Sequence, residues 1–218
     1  LRSLVGSEMC IRDRDSEVYL GSLIGRFVAA HIEIKRRIGL GLQRADDLKR
    51  LWRGTGISRR RKIALCDSLI GTKVIYAFET LNTTPEEDEK IDIAQLRLYR
   101  RALGLAPPGV ARIKGLEVVT NDELQDLVNE HDFIKPWSGR VKLARVRLLK
   151  EVQSSPPGTP IRDVVLDDFG NPKTWPGKII PGNTQARGTW LRTAQRNEAE
   201  IQQIEDQLYR GVPVLGWR

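Results

Sequence analysis

Apolar residues recur every three or four positions along three successive segments, the period of a helix that buries one face. The first segment, residues 31 to 52, places on one face Ile34, Ile38, Leu42, Ala45, Leu48 and Trp52. The second, after the potential N-cap Ser58, carries Ile63, Cys66, Ile70, Val74 and Ala77. The third carries Ile91, Ala94, Leu98 and Ala102. This pattern predicts three helices that share one core.

The third segment has the clearest boundary signals. Thr84 is predicted to be its N-cap, with Pro85 at the first helical position and Glu87 completing a capping box. Gly104 is predicted to end the helix ahead of a proline pair. We therefore expect a helix from residue 85 to about residue 103.

Two glycines lie inside the first predicted helix, Gly39 and Gly41. Each costs about 1 kcal/mol relative to alanine in a helix interior. We therefore expect tertiary packing or a close backbone contact to hold that helix. Gly54 and Gly56 follow it and are predicted to end it.

A short run with β propensity precedes the helices. It extends from Glu17 to Gly25 and contains the corner Tyr19, Leu20 and Gly21. Because glycine allows the backbone to turn or to approach another segment closely, we expect a strand that leads into a turn.

The chain changes character after Gly104. Pro107 and Pro108 are interpreted as the start of a linker, Thr120 as the start of a short helix, and residues 138 to 152 as a fourth basic helix. Residues 154 to 189 are rich in proline and glycine, which favours turns and loops. A last helix is predicted for residues 190 to 209. The predicted fold class is mainly α: a helical bundle preceded by a short β segment, with a loop-rich region and a C-terminal helix.

The composition favours a polyanionic partner. The chain has 36 Lys and Arg against 28 Asp and Glu, a net charge of +8, which attracts phosphates. Its two cysteines, Cys10 and Cys66, show no metal-binding or disulfide spacing, which favours a reducing intracellular setting. No apolar stretch of about 18 residues is present, so no membrane span is predicted.

An ordered series of short motifs runs through most of the chain. It comprises Tyr19-Leu20-Gly21, Ile34-Lys35-Arg36-Arg37-Ile38, Leu51-Trp52, Lys62-Ile63, Val74-Ile75-Tyr76, Glu79-Thr80, Gln95-Leu96-Arg97, Arg100-Arg101-Ala102-Leu103-Gly104, Arg112 and Thr120-Asn121-Asp122-Glu123-Leu124. In this order, the series resembles the segment that follows the polymerase palm in reverse transcriptases of non-long-terminal-repeat (LINE-type) retrotransposons. One departure is Ala77, since relatives usually carry glycine after the tyrosine.

The resemblance implies an organisation for the chain. Residues 15–30 would be the end of the palm, residues 31–104 a thumb-like bundle of three helices, and residues 105–153 the helices after the thumb. Residues 154–189 would be a loop region, and residues 190–218 a final helix and tail. In the family, the thumb grips an RNA template or an RNA and DNA duplex, here through its backbone phosphates.

The basic residues of the three helices are the predicted nucleic-acid contacts. They are Lys35, Arg36, Arg37, Arg44, Arg59, Arg60, Arg61, Lys62, Arg97, Arg100 and Arg101. The corner Tyr19, Leu20 and Gly21 is expected to lie near the primer by the same resemblance. For each basic cluster the alternative is an ordinary solvated helix face.

Residues 1–14 are interpreted as a non-native, adapter-like tail, with the surviving gene beginning just before Tyr19. The catalytic palm would then be a missing upstream partner, and we expect no catalytic residue and no cofactor in this fragment. The full-length parent would be an RNA-directed DNA polymerase that uses magnesium. Asp167 and Asp168 resemble a polymerase aspartate pair, but they follow the corner instead of preceding it, so no catalytic role is predicted.

A second function remains open at this stage. The chain could be a free-standing helical nucleic-acid-binding or scaffold protein without polymerase activity. Three tryptophans, Trp175, Trp190 and Trp217, could stack on bases or simply pack in the interior.

Overall fold

The structure is a computed structural model, and it describes residues 16–19, 21–25, 30–54, 56–129, 136–166 and 190–209. The predicted mainly α class, with a C-terminal helix, is confirmed. The helices are α1 (Ala30–Asp47), α2 (Lys49–Trp52), α3 (Arg59–Cys66), α4 (Thr72–Val74), α5 (Pro85–Leu103), α6 (Pro108–Lys114), α7 (Asn121–Asn129), α8 (Trp137–Ser154), α9 (Pro160–Val165) and α10 (Trp190–Tyr209). A π-helical segment, Asp67–Gly71, joins α3 to α4, and a 3₁₀ turn follows at Phe78–Thr80.

The predicted strand and turn form an antiparallel hairpin. Strands β1 (Ser16–Tyr19) and β2 (Ser22–Gly25) pair with Tyr19 opposite Ser22. Gly21 has a φ of +83°, which explains why glycine occupies the corner. Leu20 lies outside the described residues.

The boundary signals of α5 are confirmed. The Thr84 hydroxyl accepts a hydrogen bond from the Glu87 backbone N–H, and the Glu87 carboxylate accepts one from the Thr84 N–H. At the other end, Gly104 has the left-handed conformation with a φ of +72°. The local sequence therefore fixed both ends of this helix.

The first two predicted helices are less continuous than expected. The helix predicted for residues 31 to 52 is interrupted at Leu48, and the short helix α2 follows. This interruption accompanies a hydrogen bond from the Trp52 indole N–H to the Ala45 carbonyl at 2.8 Å. The second helix does not reach Ala77, because the π-helical segment precedes α4 and Ala77 has a left-handed φ of +60°.

Two short helices lie where loops were predicted. Helix α6 replaces the expected linker after Pro107, and α9 lies in the region interpreted as turns. Both begin with a proline at their first helical position, Pro108 and Pro160. The backbone N–H at the first helical position has no acceptor within the helix, so its absence in proline costs nothing there. Proline can therefore start a helix as well as break one. The remaining loop region, residues 167–189, lies outside the described residues.

The main core lies between α1, α3, α5, α7 and α8. Its buried members include Ile34, Ile63, Ile91 and Leu98 of the three predicted thumb helices. The same core continues past Gly104 to Leu124, Val128, Trp137 and Val141. A second, smaller core between α8, α9 and α10 contains Leu149, Val152, Leu166, Leu191 and Ala194. No helix in the described ranges is long and apolar enough to cross a membrane.

The two glycines of α1 have different environments. A Cβ on Gly41 would lie 2.6 Å from Val74 Cγ2, so the backbone of α1 approaches α4 closely there. This is the close contact expected from the sequence. Gly39 is exposed, and a Cβ on it would have open space within 4 Å.

Candidate nucleic-acid interface

The hairpin corner is held against α1 by a buried charge cluster. Glu33, one turn into α1, accepts hydrogen bonds from Arg36 Nε and Arg37 Nε, each at 2.7 Å. Arg36 Nη2 then donates to the Gly21 carbonyl at 2.6 Å, and Arg37 Nη2 donates to the Ser22 hydroxyl at 3.2 Å. Two arginines predicted to contact nucleic acid therefore dock the corner onto the first helix.

The electrostatics of this cluster are set by Glu33. Burial alone raises the pKa of Glu33, but hydrogen bonds from Arg36 and Arg37 and the charges of both outweigh it. The pKa of Glu33 therefore lies below its ordinary value, and the hydrogen bond to Glu33 raises the pKa of Arg36. The carboxylate stays ionised at neutral pH and compensates the buried guanidinium of Arg37.

A groove runs between α1 and α4, which we call the α1–α4 groove. Its volume is about 660 Å³, and it is lined by residues that include Arg37, Leu40, Arg44, Lys73 and Tyr76. Arg37 Nη1 donates to the Lys73 carbonyl at 3.0 Å, and its guanidinium lies 5.2 Å from the centre of the Tyr76 ring. Two predicted contact residues, Arg37 and Arg44, thus share this groove with a tyrosine and a lysine.

A second groove lies on the other side of α1, between α1 and α5, and we call it the α1–α5 groove. Its volume is about 390 Å³, and the buried side chains Ile34 and Ala94 line it. Three exposed cations also line it: Lys35 of α1 and Lys90 and Arg97 of α5. The fold therefore brings Lys35 and Arg97, 62 positions apart in sequence, to one groove.

The basic run at the start of α3 forms a separate cluster. Ser58 caps the helix by accepting a hydrogen bond from the Arg61 N–H, as predicted. Arg59, Arg60 and Arg61 are exposed, whereas Lys62 Nζ donates to the Trp52 carbonyl at 2.6 Å. Lys62 therefore stabilises the carboxyl end of α2, and the three arginines face solvent.

The last two predicted contacts, Arg100 and Arg101, hold neighbouring segments. Arg100 is 6 % exposed and donates to the Val119 carbonyl at 2.7 Å and to Asn121 Oδ1 at 2.8 Å. Burial lowers its pKa. Arg101 forms an ion pair with Asp46 at 3.2 Å, which ties α5 to α1. Both side chains are therefore anchored by protein partners.

The exposed cations stand apart from these anchoring residues. Within the described ranges, no hydrogen bond or ion pair involves the side chain of Lys35, Arg59, Arg61 or Arg97. Of the corner residues, Gly21 is exposed and Tyr19 pairs within the hairpin. The structure thus divides the predicted contacts into anchored side chains and solvent-facing ones.

Sequence reasoning missed polar residues that join the helices, among them the half-buried Asp67. Asp67 accepts hydrogen bonds from the Trp137 indole at 2.6 Å, from the Tyr99 hydroxyl at 3.1 Å and from Arg140 at 2.7 Å. No local signal marks it, because its partners come from two other helices. The spacing of Glu33 to Arg36 and Arg37, three and four residues, was a signal that could have been used.

Burial raises the pKa of one thiol and two carboxyl groups in the described part of the chain. Burial, with the nearby Asp67, raises the pKa of Cys66 to about 12, so it remains a neutral thiol. Burial also raises the pKa of Asp88 and Asp92, which hydrogen-bond to Thr83 and Ser138 respectively. Among the described residues, no group of three or more His, Cys, Asp or Glu could share a metal ion. Asp167 and Asp168 lie outside the described residues.

Of the three tryptophans that could stack on bases, the structure describes Trp190. Trp190 is partly buried against the second core, and its indole N–H donates to the Glu79 carbonyl at 2.6 Å. Packing is therefore its role in this structure. Trp175 and Trp217 lie outside the described residues.

Comparisons with protein-family models, with curated proteins and with solved structures give no significant match.

Proposed function

We propose that this chain is the thumb-like segment of a retrotransposon reverse transcriptase and that the α1–α5 groove holds the backbone of a template and primer duplex. One observation carries this proposal. Lys35 and Arg97 come from two different helices, line one groove, and have no hydrogen-bonding or ion-pair partner within the described ranges. Exposed cations on both sides of a groove suit the phosphates of a nucleic-acid backbone.

The backbone at residue 77 supports the family resemblance. Ala77 is the one non-glycine residue with a positive φ among the described residues, at +60°. Related reverse transcriptases usually carry glycine at this place, and glycine adopts that conformation without the steric cost of a Cβ. The left-handed backbone of Ala77 is one that glycine favours, which supports the resemblance at the position where this chain departs from it.

The residues that contact phosphate in this proposal are fewer than the sequence suggested. Lys35 and Arg97 are the principal contacts, with the neighbouring Lys90 and the exposed start of α3 as further candidates. Arg36, Arg37 and Arg100 hold the fold together instead. The parent protein in this proposal is an RNA-directed DNA polymerase, whose metal chemistry is not assigned to any residue described here.

Duplex binding against salt tests the proposal. The whole chain is titrated with a short RNA and DNA duplex, and the double variant Lys35→Gln and Arg97→Gln is compared with the wild type. The slope of log affinity against log salt is expected to fall by roughly one for each phosphate contact removed. The matched control is Arg147→Gln with Lys150→Gln, two exposed cations on α8 outside both grooves.

The control variant should bind with nearly the wild-type slope. Equal losses in both double variants would mean that only net charge matters, which contradicts a specific groove. A salt-independent affinity would contradict phosphate binding altogether. The retrotransposon part is tested separately by sequencing longer transcripts, which should encode a palm with a Tyr or Phe-x-Asp-Asp element upstream. If no palm is found, the alternative of a free-standing helical binding protein is favoured.

A further inference from the structure

The tyrosine of the α1–α4 groove is held in an unusual way. Tyr76 is 52 % exposed, yet one face of its ring is covered by the guanidinium of Arg37, 5.2 Å from the ring centre. Arg37 itself is 7 % exposed and fixed by Glu33 at 2.7 Å and by the Lys73 carbonyl at 3.0 Å. The ring therefore rests on a rigid, buried support while much of it remains open to solvent.

The groove around this ring combines an apolar surface with cations. Leu40 is 48 % exposed beside it, and a volume of about 660 Å³ is within the usual range for small-ligand sites, about 300 to 1,000 Å³. Two further cations line the groove, the exposed Lys73 and Arg44, and Arg44 is only loosely paired with Asp47 at 3.7 Å. A flat aromatic group carrying negative charge at its edge fits this combination.

The backbone next to the tyrosine is strained. Ala77 follows Tyr76 directly and has the left-handed conformation, which costs a residue with a Cβ roughly 1 kcal/mol. Such strained positions cluster at ligand-binding sites, where the surrounding structure holds them. This turn follows the end of α4, and Tyr76 within it lines the groove.

We propose that the α1–α4 groove binds one unpaired nucleobase of a nucleic-acid strand, stacked on the open face of Tyr76, with flanking phosphates at Lys73 and Arg44. The base must lie outside a duplex, because each base inside a duplex has both faces stacked on its neighbours and cannot stack on Tyr76. Stacking on aromatic side chains with cations along the backbone is how single strands are held without sequence preference. This inference rests on the proposed function only in that the ligand is nucleic acid.

The test compares a single strand with a duplex. Fluorescence anisotropy is measured with an eight-nucleotide single-stranded RNA and with a duplex of the same sequence, using the whole chain. Tyr76→Leu removes the aromatic face and is expected to weaken single-strand binding about tenfold, while duplex binding changes less than twofold. Tyr76→Phe keeps the face and should bind the single strand within about twofold of the wild type.

A control and a fold check accompany these variants. Ile113→Ala removes an apolar side chain that is 88 % exposed on α6, away from both grooves, and should change neither affinity. Circular dichroism melting verifies that each variant is folded at the assay temperature. Since Tyr76 is half exposed, the leucine variant is expected to remain folded.

The outcomes separate this inference from the proposed function. If Tyr76→Leu binds the single strand as the wild type does, the inference is wrong, while weaker duplex binding by Lys35→Gln with Arg97→Gln still supports the proposed function. If Tyr76→Leu weakens single-strand and duplex binding equally, an unpaired base is not what the ring contacts. If the wild type binds neither form, both proposals fail.

Discussion

The interior of this protein and the α1–α5 groove use arginine for opposite purposes. In the interior between α8 and α10, Arg145 is 0 % exposed and donates to the Asn197 amide oxygen, to the carbonyls of Phe78 and Leu81, and to the Thr83 hydroxyl. In the α1–α5 groove, Arg97 is exposed and has no protein partner among the described residues. An arginine that reaches protein oxygen atoms is anchored by hydrogen bonds to them. An arginine without such acceptors is free to contact a ligand.

The buried arginines also differ among themselves. Arg37 is compensated by the carboxylate of Glu33, whereas Arg145 has neutral oxygens only as direct hydrogen-bond partners in the described part of the chain. Burial accordingly lowers the pKa of Arg145. Its Nε and the Asn197 Nδ2 are buried without a hydrogen-bond partner among the described residues. Structural arginines are therefore held either by an ion pair or by a set of neutral acceptors.

The sharpest test of this comparison removes the buried guanidinium. Arg145→Ala is expected to destabilise the fold by about 3 to 5 kcal/mol, because several buried acceptors lose their donor at once. Urea unfolding followed by circular dichroism measures the change. Arg147→Ala, an exposed arginine two residues further along α8, should change the free energy of unfolding by less than about 0.5 kcal/mol. Similar losses in both variants would show that burial does not separate the two arginines.

Removing the carboxylate of the α1 cluster should have the next largest effect. Glu33→Gln leaves Arg37 buried without a compensating charge and is expected to destabilise the fold by about 2 to 3 kcal/mol. The exposed Glu117→Gln is the matched control and should be nearly neutral. Unfolding free energies at neutral pH measure both changes.

The same variant has a pH signature. Because the folded pKa of Glu33 lies below its ordinary value of 4.5, its ion pairs stabilise the fold fully above that pH. This contribution is lost as the pH falls through the folded pKa. The wild type should therefore lose more stability than Glu33→Gln between neutral and acidic pH. Parallel stability curves for the two proteins would contradict the ion-pair assignment.

A substitution in the turn beside the α1–α4 groove is expected to stabilise the fold, by less than the losses predicted above. Ala77→Gly is expected to stabilise the fold by about 1 kcal/mol, since glycine accepts the left-handed conformation without a Cβ clash. Ala64→Gly, inside α3, should instead destabilise by about 1 kcal/mol. Thermal melting measures both. A destabilised Ala77→Gly would mean that the methyl group of Ala77 is needed for packing.

The smallest effect is expected at the exposed start of α3. Arg59 and Arg61 lie in the first turn, where positive charge opposes the helix dipole. Arg59→Gln with Arg61→Gln should therefore stabilise the fold slightly, by about 0.5 kcal/mol, even if it weakens duplex binding. Arg147→Gln, in the middle of α8, should show no such gain. A loss of stability would place these arginines among the structural ones.

The predictable part of the fold depends on short-range signals. The capping box at Thr84, the stop at Gly104 and the full extent of α10 follow from residues a few positions apart. Helices α6 and α9 were missed because proline-rich stretches were interpreted as a linker and as loops, whereas Pro108 and Pro160 occupy first helical positions. The interruption of the second helix could not be predicted either. It involves Gly71, where a Cβ would lie 2.7 Å from the Trp137 ring, 66 residues away in sequence.

The candidate site shows the same limit. The sequence identified the basic residues on α1, α3 and α5. It did not show which of them are anchored by other segments and which remain exposed. Arg37 donates to a carbonyl 36 residues away, and Arg100 to one 19 residues away. The missed Arg145 reaches carbonyls 64 and 67 residues away. The positions of such acceptors exist only once the helices have packed.

The sequence by itself thus determined the mainly α class, the boundaries of helices such as α5 and α10, and the positive charge, because caps, periodicity and composition act within a few residues or over the whole chain. Only the tertiary structure decided which cations are anchored by protein oxygen atoms and which remain exposed. The reason is that a guanidinium is anchored only where acceptor oxygen atoms lie within hydrogen-bonding distance. Those of Arg37, Arg100 and Arg145 come in part from segments that the sequence places far away.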